Sequence, residues 1–392
     1  MDHKIKLLFI IPSLAGGGAE RTLINLLNKI DYDSFDVDLV CVLGKGPYLT
    51  QVPSKVNLIV LTKNEFWLKI ITKIHQKFNF IQVFKPMMIP ISERHYDVGI
   101  SFLDSVYTDL LYAGTQFGRR FTWVHASYKS YINFYKFYRN ENYRKRLIRN
   151  RFSKLDGFVF VSHDSMAEFI ELFGEYPNMQ VIYNPVDKLG IIKKSEHPVD
   201  LSDYNHTFNF VALGSLIPVK GYDLLLDAIR ILSTGNQNFK VHILGSGYLE
   251  KELKVRANKL RINEFVNFLG FQSNPYPYLK AADAFIMTSI SEALPMALCE
   301  AMVLHKPVIV TNCSGCREIV DNGVYGLMAD QNPDAVAEKM KLFLTDNQLL
   351  RHYRAQSVKR AEIFNDDNML NAFYTLINNH ETSTNQLYSQ LR

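Results

Sequence analysis

Two carboxylates eight residues apart, Glu292 and Glu300 in SEALPMALCEAM, are the sharpest chemical signal in the sequence. They follow an apolar run, Ala284 to Thr288, that reads as a strand, so Glu292 falls in the loop at its C-terminal end. Pro295 suits the first position of the next helix, where its missing N–H costs nothing. Glu300 then lies one to two turns along that helix, and both carboxylates can face one elongated polar ligand at different depths. A carboxylate accepts several hydrogen bonds, which suits sugar hydroxyls, and the amides of Leu294 and Met296 on either side of Pro295 add donors near the helix start. Taken alone, Glu292 has a lesser alternative as an acid favoured by the helix dipole.

Two further loops offer anion chemistry. PSLAGGGAER, Pro12 to Arg21, lies between an apolar run and an apolar-periodic helix expected to reach Ile30. A glycine turn there, Gly17 and Gly18 included, brings bare N–H groups and the positive end of the helix dipole to one spot. It is neither G-x-G-x-x-G nor G-x-x-x-x-G-K-[ST], which argues against a dinucleotide dehydrogenase and a P-loop NTPase, and a plain tight turn stays open. LGSLIPVKG, Leu213 to Gly221, repeats the strand-to-helix arrangement, with Ser215 early in the loop and Lys220 where a point charge could meet phosphate or simply face solvent. Cys313 and Cys316 have C-x-x-C spacing, but no second pair accompanies them as a structural zinc site requires, and they read as two small loop residues.

These loops need strands and helices to hold them, and apolar runs alternate with helical patterns from end to end, the signature of doubly wound parallel sheets. Strands are expected at 6–11, 37–43, 56–61, 98–102, 121–125, 158–162 and 180–183, then at 208–213, 241–244, 266–269, 284–288 and 308–311. The polar stretch Asp187 to His206 has no clear period and reads as the linker. Two Rossmann-like domains result, 1–190 and 205–365, followed by a C-terminal helix and polar tail, 366–392, able to pack back on the first domain. The 392 residues, 47% apolar and 21% charged with 20 Gly and 14 Pro, suffice for two cores and exclude collagen-like, disordered and multi-span membrane chains. No signal peptide or membrane span is visible, so a cytoplasmic location is expected.

The net charge of +5 is uneven: residues 1–200 hold 26 Lys and Arg against 20 Asp and Glu, and residues 201–392 hold 18 against 19. Within the basic half, Lys136 to Lys154 carries eight basic residues, Arg144, Arg146 and Arg149 among them, against one acid, interleaved with aromatics as in a basic amphipathic helix. A second such stretch, Glu65 to Lys85, sets Lys69, Lys73 and Lys77 along one stripe and Phe66, Ile70, Ile74 and Ile81 along another. Either is explained as a solvated face. Together they fit an anionic membrane surface or a lipid-linked phosphate, whereas no nucleic-acid recognition signature accompanies the charge.

GGGAER after the first strand, the K-G of Lys220–Gly221, the E-x7-E of Glu292 and Glu300, and SGCREIVDNGVYGL from Ser314 resemble the retaining GT-B glycosyltransferases of family 4, in order and spacing over nearly the whole chain. The segment from Asn184 to Asp187 is similar to that family's N-x-V-D junction. The resemblance implies a GT-B fold, two Rossmann-like domains facing across a cleft. It implies that Gly17 and Gly18 approach the donor diphosphate, that Lys220 neutralises it, that Glu300 holds the ribose hydroxyls, and that Glu292 with the backbone of Leu294, Pro295 and Met296 holds the donor sugar. His125, in TWVHAS, matches the first-domain histidine lining the sugar site; a lone histidine at a strand end is otherwise structural. Two departures stand out: Ser215 where the family usually has arginine, leaving one cation fewer, and Ala293 where it usually has glycine.

The expected activity is a metal-independent, cofactor-free, retaining hexosyltransferase. Its expected donor is a UDP-sugar and its acceptor a lipid-linked or polysaccharide glycan of the bacterial surface, met peripherally at the inner face of the cell membrane. The D-x-D pairs Asp31/Asp33 and Asp36/Asp38, a manganese motif in another glycosyltransferase fold, read here as solvated. A nucleotide-sugar epimerase or hydrolase on the same fold, or a non-catalytic sugar-nucleotide binder, is the alternative.

Overall fold

The computed structural model describes residues 4–15, 17–113, 116–128, 140–204, 207–235, 238–364 and 366–378. The first sheet comprises β1 (Ile5–Ile11), β2 (Phe35–Leu43), β3 (Asn57–Thr62), β4 (His95–Ser101), β5 (Gln116–Val124), β6 (Gly157–Phe160) and β7 (Met179–Val181), in the order β3-β2-β1-β4-β5-β6-β7, parallel throughout. The second comprises β8 (Phe208–Leu213), β9 (Phe239–Leu244), β10 (Val266–Gly270), β11 (Ala284–Met287), β12 (Val308–Thr311) and β13 (Leu327–Ala329), in the order β10-β9-β8-β11-β12-β13, again parallel. Helices cover both faces, so the central strands read as unbroken apolar runs rather than alternating ones. In β1, Leu7, Phe9 and Ile11 face one core while Leu8 and Ile10 face the other. Each sheet reverses its strand order once, between β1 and β4 and between β8 and β11. The C-terminal ends at such reversals are where open α/β sheets bind ligands.

The chain crosses between the sheets twice. After β7 it enters helix Lys188–Ser195, whose start is capped by Asp187 accepting from the Gly190 amide at 2.9 Å. This corrects the expectation of an aperiodic linker: Ile191 is buried with Val186 against the second domain, and a single buried apolar residue, joined only by Ser195, leaves no hydrophobic period to read in an eight-residue helix. A second crossing brings helix Asp366–Asn378 back to the first sheet, where Met369, Phe373, Leu376 and Ile377 complete the core beside β1 and β5. The Phe373 ring lies 6.1 Å from Phe9 and 6.4 Å from Trp123, and Arg119 donates to the carbonyls of Leu376 and Ile377 at the helix end.

Four expectations need correction. Strand β13 was not anticipated, because its three residues sit inside a stretch dominated by loop signals. The basic helix runs from Glu141 to Asn150 rather than from Lys136 to Lys154; residues 136–139 lie outside the described residues, and Arg151 turns inward, with its Nε 2.7 Å from Asp109 Oδ1. Asp38 is buried rather than solvated, paired with Arg94 and accepting from the Tyr96 hydroxyl. Cys313 and Cys316 are buried free thiols, and Cys316 belongs to helix Ser314–Val320 rather than a loop.

Candidate functional site

Three loops at the C-terminal ends of β1, β8 and β11 build the site. The glycine turn after β1 is held from beneath by the segment after β2, with the Leu14 amide donating to Lys45 O at 3.1 Å and the Leu43 amide to Pro12 O at 2.9 Å. Gly17 caps helix Gly18–Leu27, which ends one turn short of the expected Ile30. A side-chain carbon at Gly18 would reach to 3.9 Å from Met296 Cγ, so the start of this first-domain helix lies against the start of helix Met296–Val303 in the second domain. Pro295 occupies the cap of that helix rather than its first turn.

The loop after β8 carries Lys220, whose Nζ lies 2.6 Å from Glu292 Oε1. Gly221 follows in the left-handed region at φ 63°, and a Cβ there would come within 2.0 Å of Thr288 O, so only glycine lets this loop press on the end of β11. The Ile290 amide donates to Val219 O at 2.8 Å and stitches the two loops together. Ser289 Oγ donates to the same Glu292 oxygen at 2.7 Å. From the far side the Gly315 amide holds Glu292 O at 3.0 Å, and a Cβ at Gly315 would meet Ala293 O at 2.5 Å. Ser215 is exposed and carries no charge into this loop.

Glu300 sits on the other side of the helix start, in a cavity of about 130 Å3 lined by Arg21, Tyr48, Lys194, Tyr276 and Met296 among others. Tyr276 donates its hydroxyl to Glu300 Oε1 at 3.2 Å. Burial pushes the Glu300 carboxyl up to about 7, opposed in part by the Arg21 guanidinium and that hydroxyl. The folded chain therefore holds a proton that the unfolded chain releases near 4.5. The resulting stabilisation is complete below that pH and is lost as pH rises through about 7. Glu300→Gln removes this dependence, so it should raise Tm more at pH 8 than at pH 5 relative to wild type. Equal increments at the two pH values would contradict the assignment.

The structure thus brings together Gly18, Lys220, Glu292, Leu294, Pro295, Met296 and Glu300, with Gly17 at the cap and Ser215 at the rim. His125 follows β5 in the first domain, its ring 5.1 Å from Phe102 and 6.0 Å from Trp123, and its Nε2 is sealed from solvent without a protein partner. Burial pushes its pKa down to about 3, so it is a neutral hydrogen-bonding ring rather than a base near pH 7. Two residues on, Ser127 donates to Glu168 at 2.6 Å, and Glu168 also accepts from Ser314, the neighbour of Gly315. Glu318 likewise crosses between domains, accepting the amides of His163 and Asp164 at 3.0 and 2.8 Å at the start of helix His163–Phe173. Arg21 and Glu318 stood inside motifs already singled out, whereas nothing in the sequence distinguished Glu168 or Tyr276 from ordinary helix residues.

The basic residues expected to meet acceptor or membrane lie on two other helices of the first domain. Lys69, Lys73 and Lys77 are exposed on helix Glu65–Phe78, with Lys69 paired to Glu65 at 2.8 Å. Leu68 and His75 are the buried residues of this helix, His75 with its Nε2 2.8 Å from Asp109; Phe66 and Ile74 of the expected apolar stripe face solvent beside Trp67 and Phe78, and Ile81 lies beyond the helix end. Arg144 and Arg146 are half-buried and Arg149 exposed on helix Glu141–Asn150. Among the described residues no helix is long and apolar enough to cross a membrane, and no group of three or more His, Cys, Asp or Glu is placed to hold a metal ion.

Residues 16–188 match the family described as Glycosyltransferase Family 4, and residues 194–360 that described as Glycosyl transferases group 1. The chain is 28% identical over 229 residues to the Campylobacter jejuni N-acetylgalactosamine-N,N'-diacetylbacillosaminyl-diphospho-undecaprenol 4-alpha-N-acetylgalactosaminyltransferase, a match spanning 57% of this chain and 60% of that protein's length. It is 25% identical over 333 residues to an uncharacterized glycosyltransferase of Haemophilus influenzae, covering 83% of this chain and 85% of that one. Anabaena HepE, solved in complex with UDP, shares the fold at TM-score 0.72 and 19% identity, over 95% of this chain and 99% of that chain.

Proposed function

Because the chain belongs to the family 4, group 1 glycosyltransferases, with their GT-B fold, we propose that it moves a hexose or N-acetylhexosamine from a UDP-sugar to a lipid-linked or polysaccharide acceptor at the inner face of the cell membrane, with retention at the anomeric carbon. The observation that carries this reading is the convergence of Lys220, Glu292 and Glu300 on the start of helix Met296–Val303, opposite the glycine turn of the other domain. Glu300 accepts the ribose hydroxyls. Glu292, with the backbone from Leu294 to Met296, holds the sugar. Lys220 and the helix-start amides take the charge that builds on the departing diphosphate, the term that dominates such reactions, and no metal ion is assigned to that task. The acceptor hydroxyl attacks from the face the diphosphate leaves, and its proton passes to a departing phosphate oxygen. His125 hydrogen-bonds the sugar as a neutral ring. Product anomers read by NMR test the stereochemistry, and inversion would refute retention.

Donor binding is tested by thermal shift with UDP, GDP, ADP and their sugars. One nucleotide should raise Tm, since a ligand bound only by the folded state stabilises it by mass action, and Glu300→Ala should abolish the shift. Because the ionised carboxylate is the better acceptor, donor affinity should fall up to about tenfold from pH 8 to pH 6. No shift with any nucleotide would favour a non-catalytic role, and donor consumption without acceptor a hydrolase or epimerase.

The acceptor side is supported by helix Glu65–Phe78, where exposed Phe66, Trp67 and Phe78 accompany Lys69, Lys73 and Lys77, an arrangement that seats on anionic headgroups. Arg144, Arg146 and Arg149 add charge, and the Campylobacter relative is named for a diphospho-undecaprenol substrate. Replacing all three lysines by glutamate should release the protein from anionic liposomes at low salt, while leaving donor affinity unchanged. Retention equal to wild type would refute the membrane assignment.

A further inference from the structure

Lys220 is committed to Glu292 at 2.6 Å, so the β8 and β11 loops together bring no net positive charge, and Ser215 adds none. A departing nucleoside diphosphate carries several negative charges, and helix-start amides supply only partial ones. The deficit points to another cation within reach of the same spot. Contact between Gly18 and Met296 sets two helix starts side by side, and one turn on from each stand Arg21 and Glu300, both lining the same cavity with Tyr276. Arg21 is exposed to that cleft, and its planar guanidinium can hold two phosphate oxygens at once. The guanidinium hydrogen-bonds the Tyr276 hydroxyl and attracts the Glu300 carboxyl. Ribose hydroxyls on Glu300 would free it to turn toward phosphate.

We propose that Arg21 supplies, from the first domain, the second cation of the donor diphosphate, so that the donor is gripped by both domains at once. This rests on the donor reading given above. Lys194, the other cation lining the cavity beside Glu300, projects from the exposed side of helix Lys188–Ser195 and serves as the comparison.

Calorimetric titration of wild type, Arg21→Ala, Arg21→Gln and Lys194→Ala with UDP, GDP and ADP, each beside its nucleoside, tests this. Arg21→Ala and Arg21→Gln should weaken the bound diphosphate about 10- to 100-fold while changing nucleoside affinity less than about twofold, at a temperature where every variant is fully folded. Lys194→Ala, which removes a charge beside Glu300 rather than beside the phosphates, should change diphosphate and nucleoside affinity by the same factor. Ser215→Arg in the Arg21→Ala background should restore most of the loss, because it returns a cation to the opposite side of the same phosphates. Diphosphate affinity unchanged in Arg21→Ala, or nucleoside affinity lost in parallel, or the diphosphate-selective loss appearing in Lys194→Ala instead, would overturn the assignment to Arg21. Wild type binding none of the nucleotides would overturn the donor reading itself.

Discussion

Lys220→Ala is expected to lower kcat by about 100- to 1000-fold, the cost of removing one preorganised group from a developing charge. Its Nζ is held 2.6 Å from Glu292 Oε1, which in turn accepts from Ser289, so the ammonium is fixed before substrate arrives. Alanine removes the charge and leaves a largely buried carboxylate with one hydroxyl partner, and the loss falls on the transition state more than on the bound donor. The KM for donor should therefore rise far less than kcat falls. Lys220→Arg should keep part of the rate, since charge survives while the point geometry does not. A fall in kcat below tenfold for the alanine variant would remove Lys220 from the leaving-group role.

The second large effect is on stability. Phe373→Ala should destabilise the first domain by about 3–5 kcal/mol, the range for a fully buried phenylalanine whose surroundings cannot collapse. Phe373 is 0% exposed and stacks near Phe9 and Trp123, which belong to two different strands of a rigid parallel sheet. Neither strand can move into the void without breaking its ladder. Urea unfolding followed through Trp123 should show the loss, with Tm lowered by roughly 10 °C. A change under 1 kcal/mol would mean that helix Asp366–Asn378 contributes little to that core. Lys220→Ala strips the largely buried Glu292 of its cation and should lower Tm at neutral pH as well, so its kcat is compared with wild type at a temperature where both are fully folded.

The fold was legible where chemistry and periodicity coincide. The strand KIKLLFII ahead of the glycine turn, and VALGSLIPVKG at the second turn, announce themselves because a strand buried on both faces is uniformly apolar and the turn that follows cannot be. Glu292 and Glu300 were legible for the same reason, as acids placed just beyond such a strand. Helix Lys188–Ser195 was not, since Ile191 is its one buried apolar residue. Arg151 and Asp38 were misread as surface charges because their partners, Asp109 and Arg94, lie 42 and 56 residues away and no local pattern links them. Which residues of helix Glu65–Phe78 meet the core was not legible either: periodicity separates the two faces of a helix without saying which one is covered, and only Leu68 and His75 are buried. The pairing of Lys220 with Glu292, 72 residues apart, is likewise visible only once β8 and β11 lie side by side.

Helix Asp366–Asn378 also sets the order in which the molecule can be finished. During synthesis β1 to β7 leave the ribosome first and could pair early, yet one face of that sheet keeps Phe9 and Trp123 uncovered until Phe373 has been made. The second domain, from β8 to β13 with its flanking helices, is contiguous in the chain and can close its own cores in the meantime. The N-terminal domain is thus the last to be completed. Chains that stall or are cut between Asp366 and Phe373 would carry a finished C-terminal half attached to an apolar, chaperone-binding surface at the other end.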